Sequence, residues 1–328
     1  MNILVIGSGG REHALVWKIS QSPRASGIVC APGNPGIADL AECVPVQPAD
    51  IEGLLDLVQK KRIDLTVVGP EQPLANGIVD RFRKHGHLIF GPSRAAAELE
   101  WSKRFAKDFM ERHSIPTAAY HVFAGTATED ARRYIRSSSG PVVLKADGLA
   151  AGKGVLVCTS PEEAEASLAE MMGMGTAAET LVIEEFMEGE EASVFALCDG
   201  KDYILLASAQ DHKRAFDGDR GKNTGGMGAY APAPIVTAEM MRRIEASIVR
   251  PTLAGMAKEG RAYTGCLYVG LMITSEGPKV VEFNSRFGDP ETQVVLPLLQ
   301  TDLLDILEAA CRGSLHQVHL LPPSHDTH

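Results

Sequence analysis

Three side chains near the C-terminal end of the 328-residue chain have the types and spacing to hold a metal ion and an anion together. Residues 279–284 follow a turn-like Ser-Glu-Gly-Pro and read as a strand. Side chains two apart on a strand share a face, so Glu282 and Asn284 point the same way. Both offer hard oxygen donors. Mg²⁺ takes such donors from a protein in ones and twos, while phosphates and water complete its shell. Arg286 follows on the same side if the strand runs on, and its guanidinium can fork two phosphate oxygens or a carboxylate. Gly288 and Pro290 then break the strand and aim Asp289 and Glu291 from a loop. A metal pair, a cation and two further acids in so short a stretch suit nucleotide chemistry. Glu282 and Asn284 on their own fit the wet face of an ordinary edge strand equally well.

A second set surrounds Lys145. The strand 141–145 runs into Ala-Asp-Gly-Leu-Ala-Ala-Gly-Lys-Gly, ending at Gly154, and on to a strand over 155–158. Gly148, Gly152 and Gly154 let the backbone approach phosphates closely and let the loop move, and Lys145 and Lys153 flank them. This is not a Walker loop, which needs Ser or Thr at 154 and a helix after it. A third set is Gly-Ser-Gly-Gly-Arg-Glu-His over 7–13, between an apolar strand at 3–6 and a helix read over 14–20. A helix N-terminus after a glycine turn presents free amides to a phosphate. A dinucleotide-binding domain is opposed by Glu12, where its third glycine would stand. It is also opposed by the second strand, 28–31, which runs into Pro-Gly-Asn-Pro-Gly instead of an acid. The loops Gly9, Gly10, Arg11, Glu12 and Gly33, Asn34, Pro35, Gly36 therefore hold a phosphate-bearing small molecule, or else the glycine turn serves tight packing alone.

The elements that must position these groups alternate. A helix over 51–60 precedes a buried strand at 65–68, whose closing loop carries Glu71. Such loops bind ligands in parallel sheets, although Glu71 fits a helix cap as well. Strand 88–90 follows, then a helix over 94–113 with Lys103 and Lys107 one turn apart, a spacing that a solvated face also shows. Residues 117–187 read as a small separate unit, with a helix over 129–136, a Ser160–Glu163 capping box opening a helix to 172, and a strand at 181–184. The acidic run 184–193, with Glu184, Glu185, Met187 and Glu191, would by itself be a solvated loop. Strands 194–198 and 203–207 form a hairpin. Residues 210–230 read as a long glycine-rich loop, and loops of that length inside compact domains are usually functional. That loop carries Lys213, Arg214, Asn223, Gly225 and Gly226. Thr237 caps a helix to 258. Strands 266–273 and 279–284 pair antiparallel, which puts the metal face mid-sheet, and a helix over 298–311 closes the chain.

Bulk properties narrow the classes. Hydrophobic content of 45% and charged content of 23% describe a globular chain of two or three domains. A formal charge of −10 opposes nucleic acid as a partner. The six cysteines show no Cys-x-x-Cys spacing and read as buried thiols in a reducing, cytoplasmic setting. No apolar run reaches membrane-spanning length, and the first residues read directly as a strand, without a basic n-region or cleavage site.

Arg-Phe-Gly-Asp-Pro-Glu-Thr-Gln over 286–293 resembles the signature of the phosphoribosylamine–glycine ligases, members of the ATP-grasp superfamily. Segments 7–13, 33–36, 145–154, 184–193, 210–230 and 282–293 agree in order, so the likeness covers residues 1 to about 313. The resemblance implies an α/β chain. A doubly wound, Rossmann-like pre-ATP-grasp domain at 1–101 would bind substrate. An ATP-grasp domain would follow at 102–312, with a small α+β lid near 117–187. The tail 313–328 would stand where a further C-terminal domain begins in the family, and it does not read as that domain's start.

The reaction implied joins glycine to 5-phosphoribosylamine with ATP and Mg²⁺ (or Mn²⁺), by a monomer. In that frame Glu282 and Asn284 hold metal. Lys103, Lys145, Gly148, Gly152, Lys153, Gly154 and Lys213 serve the phosphates. Glu184, Glu185, Met187 and Glu191 meet the adenosine. Arg286, Asp289 and Lys145 are catalytic. The loops at 9–12 and 33–36, with Glu71, Asn223, Gly225, Gly226 and Arg286, bind substrate. Many relatives in the superfamily carry another metal-binding acid on the preceding strand, which here reads Gly-Leu-Met-Ile. Two alternatives stay open: a Mg·ATP-binding form without synthesis, and a ligase for another carboxylate and amine.

Overall fold

A computed structural model describes residues 1–322 apart from 126, 139, 149–153, 173–179 and 217–219, and gives 213–216, 220–223, 225 and 226 by backbone alone. Short apolar runs form the first sheet. It contains β1 (Asn2–Gly7), β2 (Gly27–Pro32), β3 (Glu42–Cys43), β4 (Leu65–Val68) and β5 (Ile89–Phe90). All pairs are parallel, in the order β3-β2-β1-β4-β5. Four helices connect them: α1 (Gly10–Ser20), α2 (Ile51–Lys61), α3 (Glu71–Ala75) and α4 (Ile78–Lys84). Strand runs apolar on both faces are what a parallel sheet covered by helices requires.

Several helices expected from sequence begin elsewhere. The first starts at Gly10, not at 14, because Glu12 reaches back and accepts the Gly9 amide at 2.6 Å. The stretch 94–113 is broken into α5 (Glu98–Trp101) and α6 (Lys103–Arg112). Ser102 between them is extended, and its hydroxyl accepts the Phe105 amide at 3.1 Å, so it ends one helix and caps the next.

The small unit is an antiparallel sheet in the order β6-β9-β7-β8. Its elements are β6 (Tyr120–Ala124), α7 (Thr128–Ser137), β7 (Val142–Ala146), β8 (Val155–Cys158), α8 (Pro161–Met172) and β9 (Thr180–Glu185). It has a core of its own, with Ile135, Leu144, Leu168, Met171 and Ile183 buried between sheet and helices. Ser160 caps α8 through the Glu163 amide, while Glu163 reaches back to Thr159.

The chain continues with β10 (Glu190–Asp199), β11 (Tyr203–Leu205), β12 (Gln210–Phe216), β13 (Arg220–Tyr230), α9 (Ala238–Ile244), α10 (Arg250–Lys258), β14 (Thr264–Thr274) and β15 (Gly277–Asn284). It ends with α11 (Thr292–Val295) and α12 (Leu303–Arg312). Residues 210–216 and 220–230 are therefore paired antiparallel strands and not a loop, although their register slips near Arg214. The larger sheet runs β11-β10-β14-β15, so β15 is an edge strand and the metal face is not mid-sheet. That edge is covered instead by the chain before the lid. The Val280 amide donates to the Pro116 carbonyl, and Thr117 Oγ1 donates to the Val280 carbonyl. The closing helix starts at Leu303, where Asp302 caps it, because Leu296–Leu298 is only a 3-10 turn.

Packing joins the two large sheets into one body. Phe195, Leu197 and Tyr268 from β10 and β14 share a buried cluster with Ile3, Val5 and Leu15 of the first domain and with Leu304 and Leu307 of α12. Each such side chain contributes roughly 1.5–3 kcal/mol on burial. The opposite face of the β10–β14 sheet packs on α6, α9 and α10. The cleft between α5, α6, β15 and the lid is thus walled by rigid elements.

Candidate active site

A cavity of about 260 Å³ opens between α6, the lid and β15. Its lining includes Glu71, Glu100, Lys103, Lys107, Lys145, Gly148, Gly154, Glu184, Glu282, Asn284 and Arg286. Residues from five separate stretches of sequence meet there.

On the β15 wall, a bulge opposite Gly270 and Leu271 leaves Glu282 paired with Gly270 and Asn284 with Tyr268. Both side chains stay on one face, and Asn284 Nδ2 lies 3.4 Å from Glu282 Oε1. The strand ends at Asn284, yet Arg286 remains with them, donating from Nη2 to Asn284 Oδ1 at 3.3 Å. Its Nε stands 3.1 Å from both Glu71 and Glu100, and Nη1 donates to the Phe287 carbonyl at 3.1 Å. Burial works against the Arg286 charge, but Glu100, Glu71 and Glu282 outweigh it and raise the pKa further. Two Nη hydrogens remain for an anion.

The two acids on Arg286 behave oppositely. Burial pushes the Glu100 carboxyl up, although Arg286 and the Ser285 amide, which donates to it at 2.8 Å, pull it down. Burial also works on Glu71, but there Arg286, the residue's own amide and Arg11 prevail and hold it below the usual range.

On the opposite wall, Lys103 opens α6 and donates to the Gly148 carbonyl at 3.0 Å. Burial lowers its pKa, Lys145 adds to that, and Glu282 opposes it. Lys145 lies on β7, one residue before its end, and donates to the carbonyl of Val281, the bulged residue of β15, at 3.1 Å. Glu184 lies between Lys145 and Lys107, 2.9 Å from each. Lys107 is therefore buried and not part of a solvated face.

The first-domain loops gather nearby. Asn34 ties the loop after β2 to the turn after β1, donating to the Ser8 carbonyl at 2.9 Å and accepting the Ile37 amide. Gly33 has φ +73, and a Cβ there would stand 2.4 Å from Cys43 Sγ. A Cβ on Gly10 would stand 2.6 Å from Gln293 Nε2, and one on Gly9 3.3 Å from Asp289 Oδ2. The turns at 8–10 and 33–36 thus converge with 289–293 at the C-terminal ends of β1 and β2, where doubly wound sheets bind ligands.

Some expected site residues lie elsewhere. Arg11 and Glu12 face inward: they pair at 2.6 Å, and Arg11 Nη1 donates to the Phe287 carbonyl at 3.2 Å. They hold α1 and the loop after β15 together and do not present themselves to a substrate. Asp289 stands at the start of α1, bonded to Gln293 Nε2 at 2.6 Å, and is not on the cavity with Lys145 and Arg286. Glu185 is exposed and bonded to the Ala119 backbone. It, Met187 and Glu191 lie at the β9–β10 junction and are not among the cavity's described lining. Gly152 and Lys153 lie outside the described residues, as do the side chains of Lys213 and Asn223, and Gly225 and Gly226 are described only by their place in β13. Pro35 and Gly36 sit on the 33–36 turn, where a Cβ on Gly36 would meet His13 at 2.8 Å.

Glu100 is the acid that sequence reasoning missed. It has no spaced partner in its own segment, and only tertiary contact reveals its role. Among the described residues no cluster of three or more His, Cys, Asp or Glu is arranged to hold a metal. Glu282 and Asn284 supply just two ligand side chains. That suits a cation which keeps water and phosphate ligands.

A doubly wound domain, an antiparallel grasp sheet, a small lid and a cleft walled by lysines on one side and Glu-Asn-Arg on the other define an ATP-grasp ligase, a class that uses ATP and a divalent metal. Family profiles described as "Phosphoribosylglycinamide synthetase, N domain" and "Phosphoribosylglycinamide synthetase, ATP-grasp (A) domain" match residues 1–100 and 101–292. The phosphoribosylamine–glycine ligase of Chlorobaculum tepidum is 55% identical over 325 residues, which is 97% of this chain and 76% of that one. The ligase of the same name from Escherichia coli O6:H1 is 52% identical over 323 residues, 97% of this chain and 75% of that one. The crystal structure of the Thermotoga maritima phosphoribosylamine–glycine ligase superposes with a TM-score of 0.83 at 34% identity, covering 98% of this chain and 78% of that one. A biotin carboxylase from Campylobacter jejuni shares the fold alone, with a TM-score of 0.75 at 17% identity over 97% of this chain and 73% of that one. The chain belongs to the phosphoribosylamine–glycine ligase family. It spans about three quarters of the length of these curated relatives. No helix among the described residues is long and apolar enough to cross a membrane.

Proposed function

We propose that the cavity carries out the ligation of glycine to 5-phosphoribosylamine, giving glycinamide ribonucleotide, ADP and phosphate, in the cytoplasm. The observation that carries this is Arg286, held by Glu71 and Glu100 beside Glu282 and Asn284, with Lys103 and Lys145 facing it across the cleft.

A carboxylate is a poor electrophile. Transfer of the ATP γ-phosphoryl group to the glycine carboxylate gives glycyl phosphate, whose phosphate is a good leaving group. The amine of phosphoribosylamine then attacks the carbonyl carbon, the C–O bond to phosphate breaks, and the amine loses a proton. No protein nucleophile is needed, so the chain's task is positioning and charge neutralisation. Arg286, with two free Nη hydrogens, orients the glycine carboxylate and the transferring phosphoryl group. Lys103 and Lys145 offset phosphate charge, and the backbone at Gly148 and Gly154 approaches it. A magnesium ion, which Glu282 and Asn284 would hold, neutralises charge on the triphosphate when bound. The turns at 9–10 and 33–36, with Asp289 and Glu71 nearby, bind the ribose phosphate substrate. The β9–β10 junction at Glu185, Met187 and Glu191 meets the adenosine.

The test is phosphate release from the purified chain with Mg·ATP, glycine and freshly generated phosphoribosylamine, with Glu282→Ala as control. Release that needs both substrates and vanishes in the variant is expected. Release with ATP and another carboxylate, but not glycine, would overturn the substrate assignment.

A further inference from the structure

Lys107 lines the cavity, yet its own hydrogens are taken. Its ammonium stands 2.9 Å from Glu184 Oε2 and donates to Thr117 Oγ1 at 2.8 Å and to the Ala118 carbonyl at 3.3 Å. These three contacts account for all three hydrogens. The Tyr120 ring covers it at 5.6 Å. Both the Lys107 and Glu184 side chains are only 3% exposed. Glu184 Oε1 stands 2.9 Å from Lys145 Nζ, an ion pair without an aligned hydrogen bond. The three charges come from α6 of the body and from β9 and β7 of the lid. The triad therefore lies where the two units meet.

A buried carboxylate beside one lysine makes a neutral pair, and a neutral pair attracts a polyphosphate weakly. A second lysine on the same carboxylate restores a net positive charge. We infer that Lys107 is a positioning residue for phosphate binding: it neutralises Glu184 so that the charge of Lys145 stays available to the phosphates of a nucleotide in the cavity. This rests on the proposal that the cavity takes ATP. Lys107 touches no phosphate itself, so its effect must scale with phosphate charge and leave adenosine recognition alone. Burial pushes the Lys107 pKa down to about 8 even with Glu184 opposing.

The test is titration calorimetry of the full chain with Mg²⁺ and either β,γ-imido-ATP or adenosine, for the wild type, Lys107→Met, Lys107→Arg and the double variant Lys107→Met with Glu184→Gln. Lys107→Met is expected to weaken imido-ATP about tenfold, the effect of one unit charge some ten ångströms away at an effective dielectric near 20. Adenosine should bind unchanged. Lys107→Arg should keep wild-type affinity. Measured against its own adenosine affinity, since Glu184 is also expected to meet the adenosine, the double variant should recover most of the loss, because removing both charges leaves Lys145 uncompensated again. Wild-type affinity in Lys107→Met, an equal loss for both ligands, or a double variant as weak as the single one would each overturn the inference. A wild type that binds no imido-ATP would overturn the nucleotide proposal and this inference with it. Should Lys107→Met fail to fold, the wild type and Lys107→Arg compared at pH 7 and pH 9 decide the matter. Only the wild type should lose affinity, and parallel curves would overturn the inference.

Discussion

Glu100 stands 3.1 Å from Arg286 Nε, although Glu100 falls at the end of the N-domain match and Arg286 near the end of the ATP-grasp match. The same carboxylate accepts the Ser285 amide at 2.8 Å. It thereby fixes both the backbone and the guanidinium at the end of β15. Removing one partner of a buried charge pair typically costs 3–5 kcal/mol. Glu71 remains on Arg286, so Glu100→Ala should cost about 3 kcal/mol, the low end of that range. Glu100→Gln, which keeps an acceptor for Ser285, should cost less. Thermal unfolding of both variants checks this, and a Glu100→Ala melting curve equal to the wild type would contradict it.

Glu282 and Asn284 are the oxygen donors that suit a cation shared with phosphates. Replacing Glu282 by Ala should lower turnover by about a hundredfold or more, the scale of losing one charge-stabilising group in a closed site. Asn284→Ala should raise the magnesium concentration needed for half-maximal rate. Steady-state rates across a magnesium titration separate the two, and an unchanged magnesium requirement in Asn284→Ala would remove that residue from the metal site.

The parallel strands and the Glu282–Asn284–Arg286 wall were legible because both depend on local pattern. Buried strands show as apolar runs, and a period of two puts residues 282 and 284 on one face whatever the rest of the chain does. Glu100 was not legible, since its meaning comes from residues such as Glu71 and Arg286 that only the fold brings near. The paired strands at 210–216 and 220–230 were hidden by their glycines and charges, which mimic a loop. The start of α1 was misplaced because Gly9 has no capping side chain, and Glu12 supplies the bond from three residues on. The edge position of β15 is a matter of topology, with Pro116 and Thr117 closing it from outside the sheet.

Glu12 makes a separate prediction. It accepts the Gly9 amide, pairs with buried Arg11, and fills the space beside Gly69, where a Cβ would stand 2.1 Å from Glu12 Oε1. Glu12→Ala removes a cap worth about 1 kcal/mol and strands the Arg11 charge, so a loss of about 3 kcal/mol or more is expected. Gly69→Ala should destabilise as well, by displacing Glu12. In the double variant Glu12→Ala with Gly69→Ala the second change should cost far less than alone, since the clash has gone. Additive losses in melting experiments would show that Gly69 does not act through Glu12.

Lys107 couples stability and binding to pH in opposite directions. Its folded pKa is held down at about 8, against an ordinary 10.5, by burial that Glu184 only partly offsets. Between those two values the unfolded chain holds the proton and the folded chain does not. Stability on account of this group therefore rises as pH climbs from about 8 toward 10.5, and is lost again as pH falls back through 8. Nucleotide affinity should move the other way. Once Lys107 is neutral, Glu184 is balanced by Lys145 alone, and the cavity loses one of the positive charges it presents to phosphates, with Lys103 and Arg286 remaining. Lys107→Arg stays charged throughout and should flatten both trends. The decisive comparison is melting temperature and imido-ATP affinity, measured on the same samples from pH 7 to pH 10. Wild-type affinity should fall relative to the arginine variant while its relative melting temperature rises. If the two quantities fall together, the alkaline loss reflects general unfolding and not the discharge of Lys107.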